Sequence, residues 1–166
     1  MVKMKSLMIA FLIVIAGILA AFLFFQSEEK KVKKQFALLS EHVSKDPSES
    51  PLIMANKIRG IQSLFSENCD FKVPDYSLSD LYTREEISGI ALLGRAHFSN
   101  LSLKFNDLKV SFPEKGVARV NMTGRLTGTT VYGEQVDETR EMHWLLRKVE
   151  KKWLFSRFEV VEVLRK

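Results

Sequence analysis

Cysteine is almost missing from this chain: Cys69 stands alone, so no internal disulfide can staple the fold, and thiol content says nothing about compartment. Histidine is scarce too. His42, His97 and His143 lie far apart, with no spacing that sets two ligands on one helix face, and no metal or other cofactor is expected. The glycine-containing stretch 124–130 lacks the Gly-Lys of a phosphate loop and reads as a turn, and no Gly-x-Ser-x-Gly elbow is present. The net charge of +5 is modest, and basic residues are not interleaved with aromatics in a patch, which argues against nucleic acid as a partner. There is neither an internal repeat nor a low-complexity tract, so the 166 residues have room for one domain beside any targeting segment.

What the chain does have is a long run without charge. From Leu7 to Phe25 nineteen residues are apolar or small, close to the length needed to cross a bilayer as a helix. A cleaved leader would need small residues at its end, but Ala20 and Ala21 are followed by Phe22-Leu23-Phe24-Phe25. The expectation is an uncleaved anchor that holds membrane lipid. It would follow a short head at 1–6 and precede a juxtamembrane helix and linker at 26–50 and an α+β domain at 51–166, with 28–50 packing on that domain. Lys3 and Lys5 flank one end of the run, and Lys30, Lys31, Lys33 and Lys34 the other, so the charge rule for orientation is nearly balanced. With so short a head, the expected arrangement is a single-pass inner-membrane protein with its carboxyl-terminal domain in the periplasm. The four lysines would then also be drawn to anionic headgroups.

Beyond the run, apolar spacing predicts a helix over 28–44, with Val32, Phe36, Leu39 and Val43 on one face. Ser50 followed by Pro51 opens a second helix with Met54, Ile58, Ile61 and Phe65 as its stripe. Residues 69–73 read as a short strand that Pro74 ends. Thr83 and Glu86 form a capping box for a third helix carrying Ile87, Ile90, Ala91 and Phe98. After Asn100 the period changes to two. Leu101, Leu103 and Phe105 alternate, then Leu108, Val110 and Phe112 alternate in the opposite phase, which predicts a β-bulge near Asn106-Asp107. Three more strands follow, at 118–126, 135–149 and 153–164.

Antiparallel pairing of the strands at 118–126 and 135–149 that keeps apolar residues on one face sets Val120 opposite Met142 and Ala118 opposite Trp144. It turns Glu138 and Arg140 inward. A buried charge is costly unless paired or wetted. These two residues are therefore either a pair at a wet sheet end or the polar fixtures of a ligand pocket. The last strand is apolar on both sides. Its Trp153, Phe155, Val161 and Val163, continued by Leu145 and Val149, would form an outer patch suited to a second copy or another protein, unless a helix covers it or a bulge turns half of it inward.

The block Leu64-Phe65-Ser66-Glu67-Asn68-Cys69-Asp70-Phe71-Lys72-Val73-Pro74, the helix 84–98 and the closing Lys152-Trp153-Leu154-Phe155 carry a likeness. In this order they resemble the nuclear transport factor 2-like superfamily, with its ketosteroid isomerase-like and polyketide cyclase-like members. The resemblance implies helices packed on a strongly curved antiparallel sheet, cone-shaped, with a pocket at its open end and sheet-to-sheet dimers in some members. It also implies a catalytic aspartate just before the proline that ends the first strand. Here that position is Val73, which weighs against isomerase chemistry. The resulting expectation is a membrane-tethered, non-catalytic binding or assembly module. The alternative is a pocket enzyme of isomerase or cyclase type, acting on a small hydrophobic molecule with Glu138 or Asp70 as base.

Overall fold

The computed structural model describes residues 2–73 and 78–163, with the side chains at 2–12, 20–22, 78–79 and 162–163 outside that description. Two compact units divide the chain, residues 1–31 and 32–166. The first is the leading part of helix α1 (Val2–Val43). Ile13, Val14, Ile15, Ile18, Leu19 and Leu23 stand exposed along it. Among the described residues no helix is long and apolar enough to cross a membrane. Of the expected span Leu7–Phe25, the side chains at 7–12 and 20–22 lie outside that description.

The second unit holds the rest of α1, then α2 (Pro51–Leu64), β1 (Phe65–Val73), β2 (Leu78–Thr83), α3 (Arg84–Ala96), β3 (Phe98–Glu114), β4 (Val117–Thr130), β5 (Gln135–Val149) and β6 (Lys152–Val163). The helix starts follow from local chemistry. Ser50 Oγ accepts from the Ile53 amide at 3.3 Å with Pro51 in the first turn, and Thr83 and Glu86 close the predicted capping box. Phe65 is not the last residue of the α2 stripe but the first of β1. Ile90 of α3 faces outward.

All six strands form one sheet in the order β2-β1-β6-β5-β4-β3. The resemblance implies an antiparallel sheet, but β1 runs parallel to β6, a pairing open to two strands that no hairpin joins. Curvature comes from bulges. In β3, Asp107 and Leu108 together oppose Met122, with Asp107 at φ 56°, where the phase flip predicts a bulge. In β6, Ser156 and Val161 are each an extra residue against an unbroken β5.

The concave face carries the core. Val32, Phe36 and Leu39 of α1 are buried, and the Phe36 ring meets Phe105, Trp144 and Phe155 with centroids 5.5, 5.7 and 4.9 Å away. Phe65 and Phe158 extend this cluster through tilted contacts, and Phe71 meets Tyr82 and Phe158 edge to face. The β4–β5 pairing is displaced by two residues from the predicted one, with Val120 opposite Trp144 and Met122 opposite Met142. A shift of two keeps every side chain on its predicted face. The stretch 124–130, expected as a turn, is inside β4. Gly128 sits where a Cβ would stand 2.5 Å from the Asn100 carbonyl oxygen, so the two strands approach there only because the side chain is absent.

Candidate functional site

The inner face of the sheet places the predicted polar pair at the end of β5. Leu126 is opposite Glu138, and Gly124 is opposite Arg140. Arg140 Nη2 donates to Glu138 Oε2 at 3.2 Å, with the Glu138 side chain half exposed and that of Arg140 mostly covered. Neither residue lines either of the two surface grooves described below. Asp70, the other carboxylate considered as a base, is bound to Arg157 Nε at 2.8 Å. Cys69 is fully buried, and burial pushes its thiol up to about 12, so it stays protonated and inert.

The predicted outer patch is broken up. Trp153 (3% exposed) and Phe155 (0%) point into the core rather than outward. The reason is the bulge at Ser156. Before it, Trp153 and Phe155 face inward; after it, Phe158 and Val160 do, while Arg157 opposite Leu145 faces out. Leu145 is half-buried between cross-strand Arg119 and Arg157. Val149 and Val161 are exposed, and the Val163 side chain is outside the described residues. The rest of the convex face is polar: Arg119, Asn121, Arg125, Asp137, Glu141 and His143 all reach solvent, with Arg125 holding Asp137 through two bonds of 2.9 and 2.7 Å.

Two grooves flank the β3 bulge. One, of about 270 Å³ on the convex side, is lined by Asp107, Lys109, Glu141 and His143 over Met122 and Met142. The other, of about 400 Å³, runs between α1 and β3, with Phe36, Phe105 and Leu108 as its floor and Lys33, Lys104 and Asn106 at its rim. No group of three or more metal-ligating side chains occurs among the described residues.

A further polar cluster ties the helices together. Arg95, 2% exposed, donates from Nη1 to the carbonyls of His42, Val43 and Ser44 at 2.7, 2.6 and 2.7 Å and from Nη2 to Glu49 Oε1. Lys57 Nζ reaches the Ser44 carbonyl and Glu49 Oε2, both at 2.9 Å. Burial raises the Glu49 carboxyl, but the bonds from Lys57 and Arg95 outweigh it and hold the group below its ordinary range. Among the described residues, three buried polar atoms have no hydrogen-bond partner: His42 Nδ1, Arg95 Nε and Trp144 Nε1. Arg95 and the α1–β3 groove were not legible in the sequence. The available signal for the groove was local: Lys104 and Phe105 stand beside the bulge that the phase flip marks.

The architecture defines a class. Helices packed on a bulged, curved six-stranded sheet in this connection order are the nuclear transport factor 2-like fold, and solved structures share it along most of their length. A candidate aromatic ring hydroxylase from Novosphingobium aromaticivorans matches over 82% of this chain and 88% of its own, at 15% identity and TM-score 0.67. A candidate scytalone dehydratase from the same organism matches over 81% and 83%, at 18% identity and TM-score 0.64. LinA matches over 82% and 86%, at 10% identity and TM-score 0.64. At such identities the likeness is one of fold. The chain matches no family model and no curated protein.

Proposed function

We propose that this protein is a membrane-tethered, non-catalytic binding or assembly module, anchored by Leu7–Phe25, with its folded unit on the outer side of the membrane. One observation carries the non-catalytic reading. The concave face, where the fold would keep a pocket, is occupied by the chain's own Phe36, Phe65, Trp144, Phe155 and Phe158, and the two charged residues at its edge are bonded to each other. The residue before Pro74 is Val73, which can neither give nor take a proton. The tether reading is supported by the uncharged run itself and by the exposure of its described side chains, which water would hydrate at a cost of about 25 cal/mol per Å².

The tether has a direct test. Full-length protein should remain in the membrane pellet after a carbonate wash, and protease added to intact spheroplasts should digest the folded unit. Mature protein whose amino terminus begins near Phe22 or Glu28 would overturn the anchor, and protection from the protease would overturn the orientation. The enzyme alternative seen in the sequence, with Glu138 or Asp70 as base, would gain ground only if a small hydrophobic compound were turned over by the wild type and spared by Glu138→Gln.

A further inference from the structure

We propose that one end of the folded unit, formed by the β3–β4 and β5–β6 turns, docks on a lipid bilayer through its anionic phosphate headgroups. This rests on the reading of the protein as membrane-tethered and adds a second contact, made by the folded unit itself.

The sheet brings the two turns together. Val117 is opposite Arg147, and the Lys148 amide donates to the Gly116 carbonyl at 2.8 Å, so Lys115 lies beside the last residues of β5. Val149 pairs with Lys152, which leaves Glu150-Lys151 as a two-residue turn just beyond. Lys115, Arg147, Lys151 and Lys152 are all exposed, and among the described residues none of them stands in an ion pair. Lys148 is already engaged, with its ammonium 5.7 Å from the centre of the Trp153 ring. Against these cations stand two carboxylates, Glu114 and Glu150. The turn at the opposite end of the sheet, 131–134, has no cation and one carboxylate, Glu134.

The β5–β6 turn adds an independent sign. Glu150 and Lys151 have φ of 47° and 71°, a left-handed backbone for which a two-residue hairpin favours Asn-Gly. A side chain is strained where glycine is the relaxed choice, yet a lysine stands there. The tip of the turn keeps a cation at the expense of its backbone.

The partner follows from what surrounds the cations. Read backwards, α1 passes Leu101, Leu103 and Phe105 of β3 in turn, through the Lys45 bridge, the Ser40 hydroxyl and the Phe36 ring. The chain arriving from Leu7–Phe25 therefore joins the folded unit at the end of the sheet that holds these turns. Val149, 49% exposed among the cations, offers an apolar side chain to the headgroup layer. A nucleic acid would need rings to stack on, but Trp153 is buried and Phe112 packs against it.

The test is lysine acetylation, read by mass spectrometry, of the full chain in nanodiscs of phosphatidylcholine alone or mixed with phosphatidylglycerol. Lys115, Lys151 and Lys152 should react more slowly on the anionic discs, and high salt should abolish the difference. Lys104, about 30 Å back along β3 from the turn, is beyond the reach of screened headgroup charge and should react alike on both. Lys151→Gly removes a cation and relaxes the turn. It should raise the melting temperature while weakening docking about fivefold, read as lost protection at Lys115 and Lys152. Equal reaction on the two kinds of disc, slowing at Lys104 as large as at the turns, or a Lys151→Gly variant protected like wild type would each overturn the proposal. Protection by added polyglutamate on neutral discs, with none from phosphatidylglycerol, would assign this end to an acidic protein and overturn the lipid. Entry into the discs is scored first, so a chain that enters and shows no protection loses the docking and keeps the tether. A chain that does not enter loses the tether, and sedimentation with phosphatidylglycerol vesicles then decides the docking: protein left in the supernatant overturns it.

Discussion

Arg95 shows how one side chain can hold three helices to each other. It projects from the last turn of α3 and satisfies the carbonyls at residues 42–44, where α1 has run out of partners for them. A cation is also favoured there by the helix dipole. Its second nitrogen fixes Glu49 in the linker before α2, and Lys57 of α2 holds the other oxygen of the same carboxylate. Burying these charges is tolerable only because each is bonded, so removing one strands the others. Arg95→Met should therefore lower stability by about 3–5 kcal/mol, and adding Glu49→Gln should cost less than the sum of the two single changes. Thermal melts of the four proteins of this cycle would check it. Strictly additive losses would mean that the two residues act independently.

At the scale of the element, β6 decides which surface is available. Its bulge at Ser156 turns Phe155 against Phe36, Phe65 and Trp144, whereas Val161, itself an extra residue, is left 43% exposed. Phe155→Glu should cost about 3–5 kcal/mol or more, since it loses a buried ring and buries an unpaired charge. Val161→Glu should stay within about 0.5 kcal/mol of wild type. Comparable melting temperatures for the two would show that both residues face solvent. The same strand marks the limit of what its sequence discloses. A bulge is legible where alternation changes phase, as from Phe105 to Leu108, but β6 is apolar on both faces and has no phase to lose. Helix starts at Ser50-Pro51 and Thr83-Glu86 were legible because caps are local chemistry. The parallel β1–β6 pairing was not, because it joins residues about ninety apart with no turn between them. The two-residue displacement of β4 on β5 was hidden for another reason: both registers put the same side chains inside. Glu138 and Arg140 were identifiable as inward-facing in register, but their bond to each other needed coordinates. The groove between α1 and β3 is lined by residues about seventy apart in the chain, and it too needed coordinates.

At the scale of the whole folded unit, acid should loosen the structure in two steps of the same sign. His42 lies in the last turn of α1 with its ring against Gly60, where a Cβ would come within 2.5 Å of Nε2. Burial lowers its affinity for a proton, Glu41 opposes that, and Lys57 and Arg95 add to it, so the folded-state value lies below the ordinary 6.5. Between that lowered value and 6.5 the unfolded chain takes up the proton more readily than the folded one. The stabilisation is therefore complete above about pH 6.5 and is lost as the pH falls through the folded value. Glu49, which faces Arg95 and Lys57 in the same cluster, is also depressed, from an ordinary 4.5. Its contribution is present above that pH and disappears as the carboxylate is finally protonated, releasing Lys57 and Arg95. The melting temperature of full-length protein in neutral detergent should thus begin to fall below about pH 6.5 and fall again below about pH 4.5. His42→Gln cannot take the proton, so it should flatten the upper step and leave the lower one. Glu49→Gln should remove the lower step while reducing stability at neutral pH, because Arg95 and Lys57 lose their shared anion. A wild-type melting temperature that is level from pH 7 to 5 would show that His42 is no more hindered from protonation in the folded chain than in the unfolded one, and the buried joint between α1, α2 and α3 would then not be what makes the fold sensitive to acid.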